Sequence, residues 1–277
     1  MTQGADQDNK LVQIKIKMRV KKLVVALMFM SSAIQGWAVD NSIYIDQSGD
    51  NATITMTQDG TGNRVRGLDA AGTGNTTPAT IYGDNVTVTV EQVGSGNVLK
   101  LGIDTGTASG GADSSVNYSI TGSNSVASIS MKNDGAISSL SNVIDITQVS
   151  TTGATVSVLM TGTSNTLTST QTGGSYAALT ANISGTNNTA TVNQSGGASN
   201  SANITQSGDY ATASVTTVGA SNSVTISQSG GTTGQTATIS LTGSSNTASI
   251  TQQGTADHTT NITGVGSGNS FTIIQRN

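Results

Sequence analysis

The sequence predicts an all-β protein, a β-solenoid of stacked strand–turn–strand rungs with two facing parallel sheets. Three observations predict it. A seven-residue phrase (Asn, any, apolar, any, apolar, any, Gln) recurs along the chain; apolar and polar residues alternate strictly within each copy; and Gly, Ser and Asn cluster between copies. Alternation of period two marks a half-buried strand, and a fixed recurrence marks a repeat architecture.

Composition narrows the alternatives. Aromatic residues make up 3% of the 277 residues and charged residues 9%, so a compact globule would lack the large apolar side chains that offset chain entropy. Disordered chains are rich in proline and charge and poor in β-branched residues. This chain has a single proline, Pro78, and Val, Ile and Thr return at regular places. Cysteine is absent, which excludes a disulfide framework and a thiolate metal site.

The first element is a leader, residues 1–38. Met18-Arg19-Val20-Lys21-Lys22 forms a basic stretch, an apolar run follows over residues 23–30, and Gly36-Trp37-Ala38 fits a small-x-Ala cleavage pattern. This is the layout of a secretory signal peptide; Met18 then serves as the true start. The apolar run is too short for a stable membrane anchor. Six of the 11 basic and two of the 15 acidic residues leave with the leader, so five basic and thirteen acidic residues remain, a net of −8. That excess disfavours nucleic acid, which needs basic surface.

The regular repeats occupy residues 136–277. The phrase reads Asn142–Gln148, Asn165–Gln171 (a weaker copy, with Ser169 at an apolar position), Asn188–Gln194, Asn200–Gln206, Asn222–Gln228, Asn246–Gln252 and Asn269–Gln275, with Asn spacings of 23, 23, 12, 22, 24 and 23. Within each phrase the Asn, two alternate residues and the Gln share a face; Asn222-Val224-Ile226-Gln228 is an example. Plainer segments such as Ala177-Leu179-Ala181-Ile183 lie between phrases, so one repeat is strand, turn, strand, turn. One such rung cannot bury its own apolar face. Stacking at about 4.8 Å pairs every strand above and below and closes a thin core between sheets about 10 Å apart. Inward amides would be costly alone, but identical amides stacked in register hydrogen-bond along the ladder and are expected to become fully satisfied. The 12-residue step from Asn188 to Asn200 is expected to move the amide phrase from one sheet to the other.

Residues 39–135 repeat less regularly. Asn41-Ile43-Ile45-Gln47 is a clean copy, whereas Asn51 to Gln58 and Asn85 to Gln92 are seven apart, as a bulge would make them. Residues 69–79 and 106–113 read as longer loops of small residues. The first rung is expected directly after the leader and the last at Gln275-Arg276-Asn277, without a capping helix at either end; open strand edges of this kind would be templates for a second copy.

The phrase Gln-x-Gly-x-x-Asn, as Gln58-Asp59-Gly60-Thr61-Gly62-Asn63 and Gln92-Val93-Gly94-Ser95-Gly96-Asn97, resembles the curlin repeat of curli amyloid subunits. Shorter forms are Gln194-Ser195-Gly196, Gln206-Ser207-Gly208 and Gln228-Ser229-Gly230. The resemblance implies an amyloid-like solenoid with curlin-like repeats throughout residues 39–277. It also implies export across a Gram-negative outer membrane by a curli-type exporter, a nucleator subunit as partner, and extracellular fibres of a biofilm matrix. The chain departs from the family in lacking the Asn/Gln pair on many second strands and in carrying Asn where Ser usually opens the strand.

Other chemistry finds little footing. His258 is the only histidine and has no partner for a metal site or a catalytic dyad; it reads as a turn or surface residue. Asp46, Asp50, Asp59, Asp84 and Asp209 mostly sit beside Gly or Asn and read as turn and edge residues. Gly264-Val265-Gly266-Ser267-Gly268-Asn269 lacks the helix and lysine of a phosphate loop. The sequence therefore points to no enzyme activity and no cofactor, but to a homopolymer built end to end, with the amide ladder from Asn142 to Gln275 as its assembly surface. The alternative is a monomeric solenoid acting as an adhesin or an ice-binding protein through outward Thr-x-Thr pairs. Against it, the outward positions mix Thr with Ser, Asn, Asp and Val.

Overall fold

The computed structural model describes residues 14–19, 24–28, 41–49, 52–68, 77–83, 85–104, 114–132, 141–149, 152–232 and 234–277, with side chains from residue 41 onward. Among them the chain forms strands and turns and no helix. In chain order the first strands are β1 (Ile14–Arg19), β2 (Val24–Met28), β3 (Ser42–Ser48), β4 (Thr53–Thr57), β5 (Arg64–Arg66), β6 (Ala79–Tyr82), β7 (Val86–Thr89) and β8 (Val98–Asp104). Then follow β9 (Ser114–Val116), β10 (Ser119–Ile120), β11 (Val126–Lys132), β12 (Asn142–Val149), β13 (Thr155–Thr163), β14 (Thr166–Thr172), β15 (Ala178–Thr186) and β16 (Thr189–Ser195). The last are β17 (Ser201–Asp209), β18 (Thr212–Val218), β19 (Ser223–Ser229), β20 (Thr236–Thr242), β21 (Thr247–Gln253), β22 (Thr259–Val265) and β23 (Ser270–Arg276).

These strands form two sheets, in which every neighbour is parallel. Sheet A runs β1-β3-β5-β8-β11-β13-β15-β17-β19-β21-β23, with β6 beside β5 at the same level, and sheet B runs β2-β4-β7-β9-β12-β14-β16-β18-β20-β22, with β10 beside β9. The chain alternates between the sheets, so β3 to β22 make nine turns of a β-solenoid, the architecture the alternation predicts.

Stacking places like on like. Ile204, Ile226, Ile250 and Ile273 form one column in sheet A, and Val192, Val215, Ile239 and Ile262 form one in sheet B. Except for Ile273, which is partly buried, these side chains are at most 4% exposed. Each buried aliphatic chain contributes roughly 1.5–3 kcal/mol, so a core only two side chains thick is offset by its length.

The first third is irregular for identifiable reasons. At one level of sheet A the chain leaves the strand after β5, closes a loop with Gly67 N–H donating to Thr77 O at 2.8 Å, and re-enters as β6. The loop read as ending at residue 79 therefore yields to a strand at that residue. The expected bulge at Asn85 is also different: Asn85 sits in the turn at φ 53°, and the inward set is Val86, Val88, Val90 and Gln92. The extra residue is absorbed before the strand, which leaves the ladder pairing intact.

The segment read as a leader contributes the backbone of β1 and β2. They lie on β3 and β4, aligning Ile14 with Ile43 and Val24 with Thr53, so the first rung of this structure precedes the one expected after the leader. The Gly36-Trp37-Ala38 cleavage pattern lies outside the described residues, as do Asn51 and residues 106–113.

Candidate functional site

The sequence-derived ladder residues gather into two stacks. Asn142, Gln148, Asn165, Gln171, Asn188 and Gln194 belong to sheet B, and Asn200, Gln206, Asn222, Gln228, Asn246, Gln252, Asn269 and Gln275 to sheet A. The short step at Asn200 therefore does carry the phrase across the core.

The two amides of a phrase do different work. Gln stacks on Gln: Gln148 Nε2 donates to Gln171 Oε1 at 2.6 Å, and Gln171 Nε2 to Gln194 Oε1 at 2.7 Å. In the second run Gln206 donates to Gln228 at 3.1 Å, Gln228 to Gln252 at 2.9 Å and Gln252 to Gln275 at 2.9 Å. Every link in these two runs donates toward the C-terminal end, giving the stack a polarity. Gln228 Nε2 also reaches across the core to the carbonyls of Thr212 and Gln235, at 3.0 and 2.9 Å.

Asn works as a clamp on the backbone. Asn165 Oδ1 accepts the backbone N–H of Asn188 at 3.0 Å, while its Nδ2 donates to the carbonyl of Gly185 at 2.8 Å. Asn188 does the same for Ala211 and Gly208, at 2.8 Å each, and Asn200 for Asn222 and Gly219, at 3.0 and 2.7 Å. A turn leaves backbone groups that the sheet ladder cannot reach, and burying them unpaired is costly. Each Asn supplies the partners for the turn one level further on.

The expectation of fully satisfied amides fails where a run begins or stops. Gln148 Oε1, Gln194 Nε2 and Gln206 Oε1 are buried without a hydrogen-bond partner among the described residues. Gln194 aligns with Thr217 and then Leu241, and the Thr217 hydroxyl is likewise unpaired. A sheet switch thus interrupts both stacks at one place.

Sequence reasoning left three clamps out of the site. Asn41, Asn63 and Asn97 form an earlier run in sheet A, accepting the backbone N–H of Asn63, Asn97 and Ser125 at 2.9, 3.0 and 3.0 Å. Gln92 donates to Gln58 at 2.6 Å, opposite in sense to the later runs. The Gln-x-Gly-x-x-Asn motifs at Gln58 and Gln92 carried that signal. The clamps therefore alternate A, B, A along the chain, with a second switch between Asn97 and Asn142.

Of the remaining candidates, Asp50 and Asp84 lie outside the described residues, and the others occupy strand ends, turns or outer faces. His258 is half-buried at the turn into β22, where its carbonyl accepts the Thr236 N–H at 2.8 Å. Asp209, the last residue of β17, accepts through Oδ1 the N–H of Thr186 at the end of β15, at 2.8 Å, and Asp46 lies within β3 on the outer face; neither sits in a turn as expected. The outward residues stay mixed on sheet A, but on sheet B Thr166, Thr189, Thr212, Thr236 and Thr259 form one unbroken column.

Fold and site together define a repeat protein in which every turn carries hydrogen-bonding groups for the next one. The model of the curlin associated repeat matches residues 197–230, the stretch from the sheet switch through Asn200–Gln206 and Asn222–Gln228. The chain carries a curlin repeat, as a divergent member of that family does, and fits a curli-like structural subunit. No curated protein matches the chain.

Proposed function

We propose that this chain is a secreted structural subunit, not an enzyme, that assembles end to end into extracellular curli-like amyloid fibres of a biofilm matrix. The observation that carries the reading is the polarised stack from Asn200 to Gln275: each turn there offers Gln Nε2, Asn Oδ1 and Asn Nδ2 to the turn beyond it. An unfolded copy arriving at the β23 edge meets Asn269 and Gln275 in the places that Asn246 and Gln252 hold for β23. It adds one turn at a time and presents the same groups again. A strand added to an existing edge pairs and buries its apolar face at once, whereas a first rung has nothing to pack against, so growth on an existing edge outruns nucleation in solution. The curlin repeat supports export through a curli-type outer-membrane exporter and a nucleator that supplies the first edge.

The test is dilution of the unfolded chain (residues 39–277) from denaturant, following thioflavin fluorescence with and without preformed seeds. Seeds should abolish the lag. A persistent monomer with a β-sheet spectrum and no response to seeds overturns the proposal. Changing Gln206, Gln228, Gln252 and Gln275 together to Ala should slow elongation.

A further inference from the structure

The two outer faces of the solenoid differ in a way that the linear sequence hides. Sheet A carries Asp46, Arg64, Lys100, Asp104, Lys132 and Arg276 on outward strand positions. The described strands of sheet B carry one outward charge, Asp145 on β12, and from β14 to β22 they carry none, a stretch over which sheet A carries only Asp209 at the end of β17. The outward residues of sheet B there are Thr, Ser, Asn and, at one margin, Val218 and Val265. Beside the unbroken Thr166–Thr259 column lies a second of Thr168, Thr191, Ser214, Thr238 and Asn261.

Resting on the fibre reading above, we infer that this face of sheet B is the surface by which one filament binds a second filament side by side. Hydroxyls donate and accept and rotate to suit their partner, so two copies of one hydroxyl face complement each other, which a charged face cannot do. Thr is stiff at χ1 and short, so little side-chain entropy is lost and the sheets approach closely, as in dry zipper interfaces. Val218 and Val265, 41% and 76% exposed, extend the contact at its margin.

Size decides when the contact forms. Five strands at about 4.8 Å and seven residues at about 3.3 Å give a face of roughly 550 Å² per copy. A stable pair of proteins needs about 800 Å² per partner. One copy falls short of that, but a filament repeats the face at every subunit and the contacts add. Side-by-side binding is therefore a property of the fibre and not of the free chain.

The experiment compares three chains by electron microscopy and seeded growth: wild type, Thr191→Glu with Thr238→Glu on sheet B, and Thr180→Glu with Thr225→Glu on sheet A. Both variants add the same charge. Wild type and the sheet A variant should bundle; the sheet B variant should give single filaments elongating within about twofold of wild type, since outward charges leave the core ladder untouched. Bundling by the sheet B variant, single filaments from the sheet A variant, or wild-type filaments that never bundle each overturn this inference and leave the fibre reading standing. A wild-type chain that forms no filaments, whether it stays free or adsorbs to ice or a polysaccharide through its Thr column, overturns the fibre reading and this inference with it.

Discussion

The Oδ1 of Asn222 accepts the backbone N–H of Asn246 at 3.1 Å, while Asn222 Nδ2 reaches the carbonyl of Gly243 at 2.9 Å. One buried side chain thus fixes the following turn at both of its ends. Asn222→Ala removes both partners and adds none. Two unpaired backbone groups cost about 2–4 kcal/mol together, so hydrogen exchange at the Asn246 amide should accelerate roughly 30-fold or more. Asn182→Ala, on the exposed face of β15, should change stability by less than about 0.5 kcal/mol. Equal effects from the two substitutions would show that the clamp contributes nothing.

The Gln stack yields a pH test. Gln228 is fully buried; it accepts from Gln206 Nε2 and donates to Gln252 Oε1. In Gln228→Glu the ionised carboxylate would meet the Gln252 oxygen and the Thr212 and Gln235 carbonyls, acceptor against acceptor. Only the protonated acid can donate there. Burial raises the folded pKa above the unfolded value of about 4.3. A group raised in this way gives its full stability below the unfolded pKa and loses it as pH rises through the folded one. The variant should therefore assemble near pH 4 and fail near pH 8. Equal urea midpoints at both pH values would rule out a stack that depends on donation from residue 228.

Much of this architecture was legible in the sequence. The alternation in Asn222-Val224-Ile226-Gln228 gives the strand and its inward face, and the 12-residue step gives the sheet switch, because period two leaves only one face for the core. What was not legible depends on register between distant strands. Nothing near Thr166 or Thr259 says that they share a column, since that follows from the level each turn reaches. The clamp function of Asn was hidden for a similar reason: its partners are turn glycines about 20 residues away, as Gly185 is from Asn165. The first third resisted because loops there interrupt strands, so β5 and β6 share a level that no local pattern marks.

Turn glycines divide into two kinds, and substitution should separate them. Gly243 has φ 115°, and a Cβ placed there would overlap the carbonyl oxygen of Gly266 in the next turn. Gly268 has φ 75° with no atom within 4 Å of such a Cβ. Gly268→Ala should cost only the left-handed backbone penalty, roughly 1–2 kcal/mol. Gly243→Ala adds a backbone clash that stacked turns cannot relieve without separating, and should cost about 2 kcal/mol more than that. Urea unfolding of the two variants checks the order; a reversed order would mean that the turns are not stacked in contact at Gly243.

Tyr118 offers the sharpest probe of the irregular region. It lies between β9 and β10 with φ 41°, is 1% exposed, and its hydroxyl has no partner among the described residues. Burial pushes its pKa well above the ordinary tyrosine value. The unfolded chain ionises near pH 10 while the folded chain stays neutral, so the unfolded state binds fewer protons and stability falls as pH rises above that point. The loss approaches about 1.4 kcal/mol per pH unit. Tyr118→Phe removes both this dependence and the cost of an unpaired hydroxyl. The variant should match or exceed wild type at pH 8 and pull further ahead at pH 11. If the two chains instead lose stability in parallel between those values, the phenol is not held neutral in the core, and Tyr118 reaches water or a partner in solution.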